Sequence, residues 1–181
     1  MALIEKKFGK INEGEIVLVL ISPQKYVETN LELLKYLQKM RMRGVYITIN
    51  KPHSVLCNLF KKNKVDCSSI FFIDCVSELI HSDTSRSKNV VFVSPKNLTG
   101  ISIAISELIK SIEGRKYVFI DSLSTLLIYN SLGSLNKFSH FLTNRFRSNG
   151  VTSVFLSLEG DLDPSFLSTM SKFCDRVIKL G

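Results

Sequence analysis

Short runs of β-branched and aromatic residues alternate along this chain with stretches whose apolar residues recur at helical spacing. That alternation predicts crossover βαβ units and a largely parallel central sheet flanked by helices. The first strand is expected at Ile16–Ile21, followed by a helix through Leu31, Leu34, Leu37 and Met40. Thr29 or Asn30 suits its cap, and Gly44 lies just past its end. A second strand, Val45–Ile49, leads through Lys51-Pro52-His53-Ser54 to a helix carrying Val55, Leu56, Leu59 and Phe60, with Pro52 fitting its first turn.

The third strand, Ile70–Ile73, runs into Asp74-Cys75-Val76-Ser77. After it the polar segment 82–89 lacks apolar periodicity and reads as an exposed loop. A strand at Val90–Val93 precedes a helix marked by Ile101, Ile105, Leu108 and Ile112 and closed by Gly114. The strand Tyr117–Ile120 then ends on Asp121. Leu135, Phe138, Phe141, Leu142 and Phe146 mark a helix stopped by Asn149-Gly150, ahead of a strand at Val151–Leu156. A helix at Pro164–Phe173 and a short strand, Arg176–Lys179, close the pattern.

Composition adds bounds. The 181 residues suit a single domain, 1–181, and the 45% hydrophobic and 22% charged content is ordinary for a globular protein. The longest apolar runs fall far short of the roughly 20 residues needed to span a bilayer. Charge among the first residues, where a signal peptide needs apolar ones, points to the cytoplasm. The four cysteines lack metal or redox spacing and read as buried free thiols. Formal charge is +8, which favours acidic partners. Lys35, Lys39, Arg41 and Arg43, and likewise Lys61, Lys62 and Lys64, fall near predicted helix ends, where cations also complement the helix dipole.

Ligands of open parallel sheets sit beyond the carboxyl ends of the strands, so the loops leaving them carry the candidate chemistry. Tyr117-Val-Phe-Ile-Asp121-Ser122 delivers a carboxylate at a strand tip, as a magnesium-nucleotide site needs; an aspartate there also serves as an ordinary turn former. With its surroundings, the chain resembles the RecA/KaiC-like ATPase superfamily, in particular the divergent KaiC-like domains of archaea. Residues 117–124 look like that family's Walker B strand, residues 150–159 like its following core strand and residues 174–180 like its closing strand. The resemblance implies a three-layer RecA-like fold of the P-loop NTPase type.

The departures from that family bear on function. Its loop after the first strand reads G-x-x-x-x-G-K-[ST], with glycines that let backbone amides approach phosphate and a lysine that neutralises it. Here the stretch is Ser22-Pro23-Gln24-Lys25-Tyr26-Val27-Glu28-Thr29. Ser22 and Val27 take the glycine positions, Glu28 takes the lysine position and Thr29 keeps the magnesium-ligand type. β-Branched Val27 resists positive φ, and Pro23 removes an amide donor. A carboxylate about 4 Å from a phosphate charge costs on the order of 4 kcal/mol at an effective dielectric near 20. The family also ends its second strand with acidic residues that prepare the attacking water, whereas this strand ends on Asn50-Lys51, and an asparagine is no general base.

These departures lead to the expectation of a non-hydrolysing, regulatory or scaffolding RecA-like domain without a cofactor, acting through contacts with a protein partner or another copy of itself. Its candidate surface is 129–135. The alternative is a magnesium-ATP site built on Lys25, Thr29 and Asp121 with weak hydrolysis. A third reading, nucleic-acid binding, rests on charge around Arg41 and Arg43 and on the recombinase branch of the superfamily. Glu159 is a possible carboxylate but reads more simply as a solvated loop residue. His53, His81 and His140 show no metal-ligand spacing, and no G-x-S-x-G surrounds Ser122.

Overall fold

The computed structural model describes residues 4, 7–79 and 89–180. Its seven strands are β1 (Ile16–Ile21), β2 (Arg43–Thr48), β3 (Ile70–Asp74), β4 (Val90–Phe92), β5 (Lys116–Asp121), β6 (Thr152–Leu158) and β7 (Arg176–Leu180). All neighbours pair in parallel, in the order β4-β3-β2-β5-β6-β1-β7. The sheet is covered by the helices α1 (Tyr26–Lys39), α2 (His53–Lys62), α3 (Leu98–Ser111), α4 (Leu123–Tyr129), α5 (Leu132–Ser148) and α6 (Pro164–Phe173).

Side chains alternate across a strand, so each strand feeds two cores. Val17, Val19 and Ile21 of β1 share one core with Leu33, Leu34 and Leu37 of α1 and Phe60 of α2. Ile16, Leu18 and Leu20 face the other way, into a core shared with Ile101 and Ile105 of α3, Leu142 and Phe146 of α5 and Phe166 of α6. The result is helix, sheet and helix in three layers, the RecA-type architecture that the sequence implies.

Local chemistry explains several boundaries and corrects others. Asn97 caps α3 by accepting the Gly100 amide, and Asp163 caps α6 by accepting from the amides of Ser165 and Phe166. Helix α1 starts at Tyr26, ahead of the expected cap at Thr29 or Asn30, because a 3-10 turn over Pro23–Lys25 runs directly into it. Both expected capping residues are instead buried within the helix. Pro52 sits at the cap position of α2, one residue before its first turn.

Gly44 belongs to β2 and does not terminate α1. A Cβ there would lie 2.5 Å from the ring and carbonyl oxygen of Tyr117 on the adjacent strand, which only glycine avoids. The left-handed residue after α1 is Arg41, at φ 56°. Helix α4 was not expected, since its seven residues are too few to display a period. Of the polar segment 82–89, only Asn89 lies among the described residues.

Candidate functional site

Strand β5 places Asp121 at its carboxyl end, and the alternation Tyr117, Phe119, Asp121 turns it toward α1 and α2. Tyr46 of β2 lies on the same face, its ring stacked on that of Phe119 at 5.0 Å. Strand β6 separates β1 from β5, so the residues following β1 stand two strand spacings, about 10 Å, from the tip of β5. Tyr26, the first residue of α1, bridges that gap.

The Asp121 carboxylate is 2% exposed and surrounded by four neutral donors. Its Oδ1 accepts from the Tyr26 hydroxyl and, at 3.4 Å, from Asn50 Nδ2. Its Oδ2 accepts from the Tyr46 hydroxyl and, at 3.0 Å, from Asn30 Nδ2. Each asparagine also donates to a tyrosine oxygen: Asn50 to Tyr26 at 2.9 Å and Asn30 to Tyr46 at 2.7 Å. Thr125 fixes the Asn50 amide by donating to its Oδ1 at 2.6 Å, and Thr125 is itself 2.9 Å from the Ser122 hydroxyl.

This arrangement can hold an anion without a cation. An ionised carboxylate offers about four lone-pair directions, and four donors fill them. Burial pushes the Asp121 carboxyl up, against the opposing pull of the Tyr26, Tyr46, Asn30 and Asn50 hydrogen bonds. Burial, and then the neighbouring Asp121 charge, push both tyrosines above their ordinary value, so their hydroxyls remain donors. Beside the cluster, between α1, α2 and Asp121, the void measures about 10 Å³ and is lined by Tyr26, Val27, Leu31, Leu56 and Phe60 among others. That is barely room for one water, whereas ligand pockets run to hundreds of Å³.

A second buried carboxylate, Asp74 at the end of β3, is held differently. Its Oδ1 accepts the backbone amides of Val76 and Ser77, both at 2.9 Å. Its Oδ2 receives the His53 amide at 2.9 Å and the Ser77 hydroxyl at 2.7 Å, and lies 3.0 Å from His53 Nδ1. Burial raises this carboxyl, but the hydrogen bonds from His53, Ser77 and Val76 together hold it below its ordinary value. Asp74 thereby ties the start of α2 to the end of β3.

Residues 16–180 match the model of a family described as family of unknown function (DUF7504). The chain belongs to that family. No curated protein matches it in sequence. Three solved structures share the fold of this DUF7504 chain at low identity. The uncharacterized protein PH0321 of Pyrococcus horikoshii, crystallised in complex with an unknown peptide, aligns at TM-score 0.68 and 14% identity, over 99% of this chain and 82% of that one. The KaiC-like protein PH0186 of Pyrococcus horikoshii OT3 aligns at 0.65 and 14%, over 98% and 77%. The flagellar accessory protein FlaH of Methanocaldococcus jannaschii aligns at 0.67 and 15%, over 97% and 75%.

Of the sequence-predicted positions, the structure of the DUF7504 chain brings Tyr26, Asn50 and Asp121 into one cluster. Thr29 is buried, while Pro23, Gln24, Lys25, Val27 and Glu28 are exposed and Ser22 is half-buried; none of these seven touches Asp121 through a hydrogen bond. Asn30 and Tyr46 are cluster members that the sequence did not single out. Glu159 is exposed and lies 3.8 Å from Lys179, the solvated role expected of it. His53 is half-buried against Asp74, and His81 lies outside the described residues. Cys75 and Cys174 are buried, but Cys57 and Cys67 are only half-buried, contrary to expectation.

The candidate surface at 129–135 divides: its apolar side chains turn toward the core, while Ser131, Gly133 and Ser134 are exposed. Leu135 is fully buried, and Tyr129 and Leu132 are half-buried against the core on the α3 and α5 side of the sheet. Among the described residues no group of three or more metal-ligating side chains converges, and no helix is long and apolar enough to cross a membrane.

Proposed function

We propose that this chain is a non-hydrolysing RecA-like domain, whose nucleotide position has become a packed structural cluster and whose role is regulatory or scaffolding, through protein contacts. The observation that carries this reading is the closed shell of Asp121. Magnesium demands six oxygens in near-ideal octahedral geometry, and here every acceptor direction of the carboxylate is taken by a protein donor. To bind metal the site must expel Tyr26 or Asn50 and open a void many times its present size. The connection after β1 gives no compensation: a 3-10 turn containing Pro23 replaces a glycine-rich cradle. Asn50, where KaiC-like ATPases place an acidic residue, is engaged with Tyr26 and Thr125.

A role in protein contacts fits the fold neighbour crystallised with an unknown peptide. Titration calorimetry with magnesium-ATP up to millimolar concentration tests the reading. Flat titrations are expected. Saturable heat that disappears in Asp121→Ala would establish instead an ATP site built on Lys25, Thr29 and Asp121.

A further inference from the structure

On the sheet face opposite the Asp121 cluster, α3 packs on β2 and β3 while α5 packs on β1 and β6. The strand order sets these two helices three strand spacings apart, about 14 Å, where close-packed helices stand about 8–10 Å apart. The difference leaves a groove of about 760 Å³ between them. Apolar groups line it: Leu98 and Ile103 from α3, Phe138 and Phe141 from α5. Ile103 is 55% exposed and Phe141 49% exposed, large side chains left partly open to solvent.

Charge on the groove is one-sided. Lys96 and Lys110 mark the two ends of the α3 wall, and Lys137 and Arg145 lie on the α5 wall. Glu107 is the one acidic residue among the described lining residues. Among the described residues none of the four cations is paired with a carboxylate. An apolar floor between two unneutralised basic walls fits a ligand with one apolar face and acidic flanks on both sides.

We propose that this groove docks an acidic amphipathic helix of a partner protein. The proposal rests on the protein-contact reading above and names the partner's chemistry. Helix α3, Leu98–Ser111, is about 21 Å long, the length of a partner helix of about fourteen residues. Nucleic acid fits less well. The Phe141 ring is covered by the Arg145 guanidinium at 5.8 Å and Phe138 is buried, so no open aromatic pair is offered to successive bases.

Fluorescence anisotropy on the full chain tests this with a labelled peptide of about eighteen residues, leucines at helical spacing on one face and glutamates on the other. Saturable binding that weakens with salt is expected. The double substitution Ile103→Glu with Phe141→Glu, and separately Lys110→Glu with Lys137→Glu, should each weaken it at least about tenfold. All four positions are exposed, so unchanged thermal melting certifies the fold of both variants. The charge-reversed pair should in turn favour a matched peptide carrying lysines in place of the glutamates.

The proposal is overturned by absence of saturable binding, by equal binding of a scrambled peptide of the same composition, or by affinity unchanged in either variant. It is overturned as well if a single-stranded DNA or RNA oligonucleotide competes the peptide away, or if sedimentation shows a second copy of the chain filling the groove. A negative peptide result beside a flat magnesium-ATP titration removes the groove while leaving the non-hydrolysing reading in place. Saturable magnesium-ATP heat removes that reading whatever the peptide does.

Discussion

Asp74 and Asp121 end neighbouring regions of one sheet, and both are buried, yet their surroundings are built from different parts. Asp74 is held mainly by backbone amides at the start of α2 and just past β3, groups fixed in number and direction by the main chain. Asp121 is held wholly by side chains, two tyrosine hydroxyls and two asparagine amides. At Asp74 the backbone donors together with the Ser77 hydroxyl outweigh the cost of burial and depress the carboxyl, while around Asp121 burial outweighs its donors and the carboxyl rises. The contrast separates a carboxylate fixed by main-chain geometry from one held by side chains alone.

The largest expected effect is on Asp74. Asp74→Ala strips the acceptor from three amides and two side chains, and should cost about 3–5 kcal/mol of unfolding free energy in urea titration. Asp121→Ala should cost less, about 2–3 kcal/mol, since Tyr46 and Asn30 lose a buried acceptor while exposed Asn50 can turn to water. In a working metal site the same change relieves charge and leaves stability equal or higher, so its sign distinguishes the two accounts.

The pH dependence sharpens the comparison next. For Asp121, with a folded carboxyl above the ordinary 3.8, the stabilising contribution is complete below that value and is lost as pH rises through the folded value. For Asp74, held below 3.8, the contribution is complete above that value and is lost as pH falls through the folded value. Denaturation at a series of pH values should therefore show opposite slope changes: Asp121→Asn gains on wild type as pH increases, and Asp74→Asn loses its disadvantage as pH drops. The smallest effect is that of Tyr26→Phe, which removes one donor near the surface and should cost about 1 kcal/mol without creating magnesium-ATP binding.

Much of the fold was legible from periodicity. β1 and α6 fall where the pattern of apolar residues places them, and the other strands differ by one or two residues at their ends. What failed was local in appearance and tertiary in cause. Within α1, Tyr26 and Asn30 reach Asp121, a residue some ninety positions away that no short window can see. Tyr46 reads as a core aromatic until β2 is registered against β5 and its hydroxyl meets the carboxylate. One signal was available: the spacing Tyr-x-x-x-Asn occurs at 26–30 and again at 46–50, immediately after β1 and along β2. The same limit explains 129–135, a turn-rich stretch between two helices in which Tyr129, Leu132 and Leu135 turn toward the core and Ser131, Gly133 and Ser134 toward solvent, a division no period reveals.

The account stands on whether the Asp121 shell stays closed when nucleotide and metal are offered. Crystals soaked with manganese and a nonhydrolysable ATP analogue answer this through the anomalous signal of the metal. The expected map has Tyr26 still bonded to Asp121 and no metal peak within about 3 Å of that carboxylate. A manganese ion on Asp121, with triphosphate seated along residues 22–29 and the Tyr26 ring displaced, would contradict it.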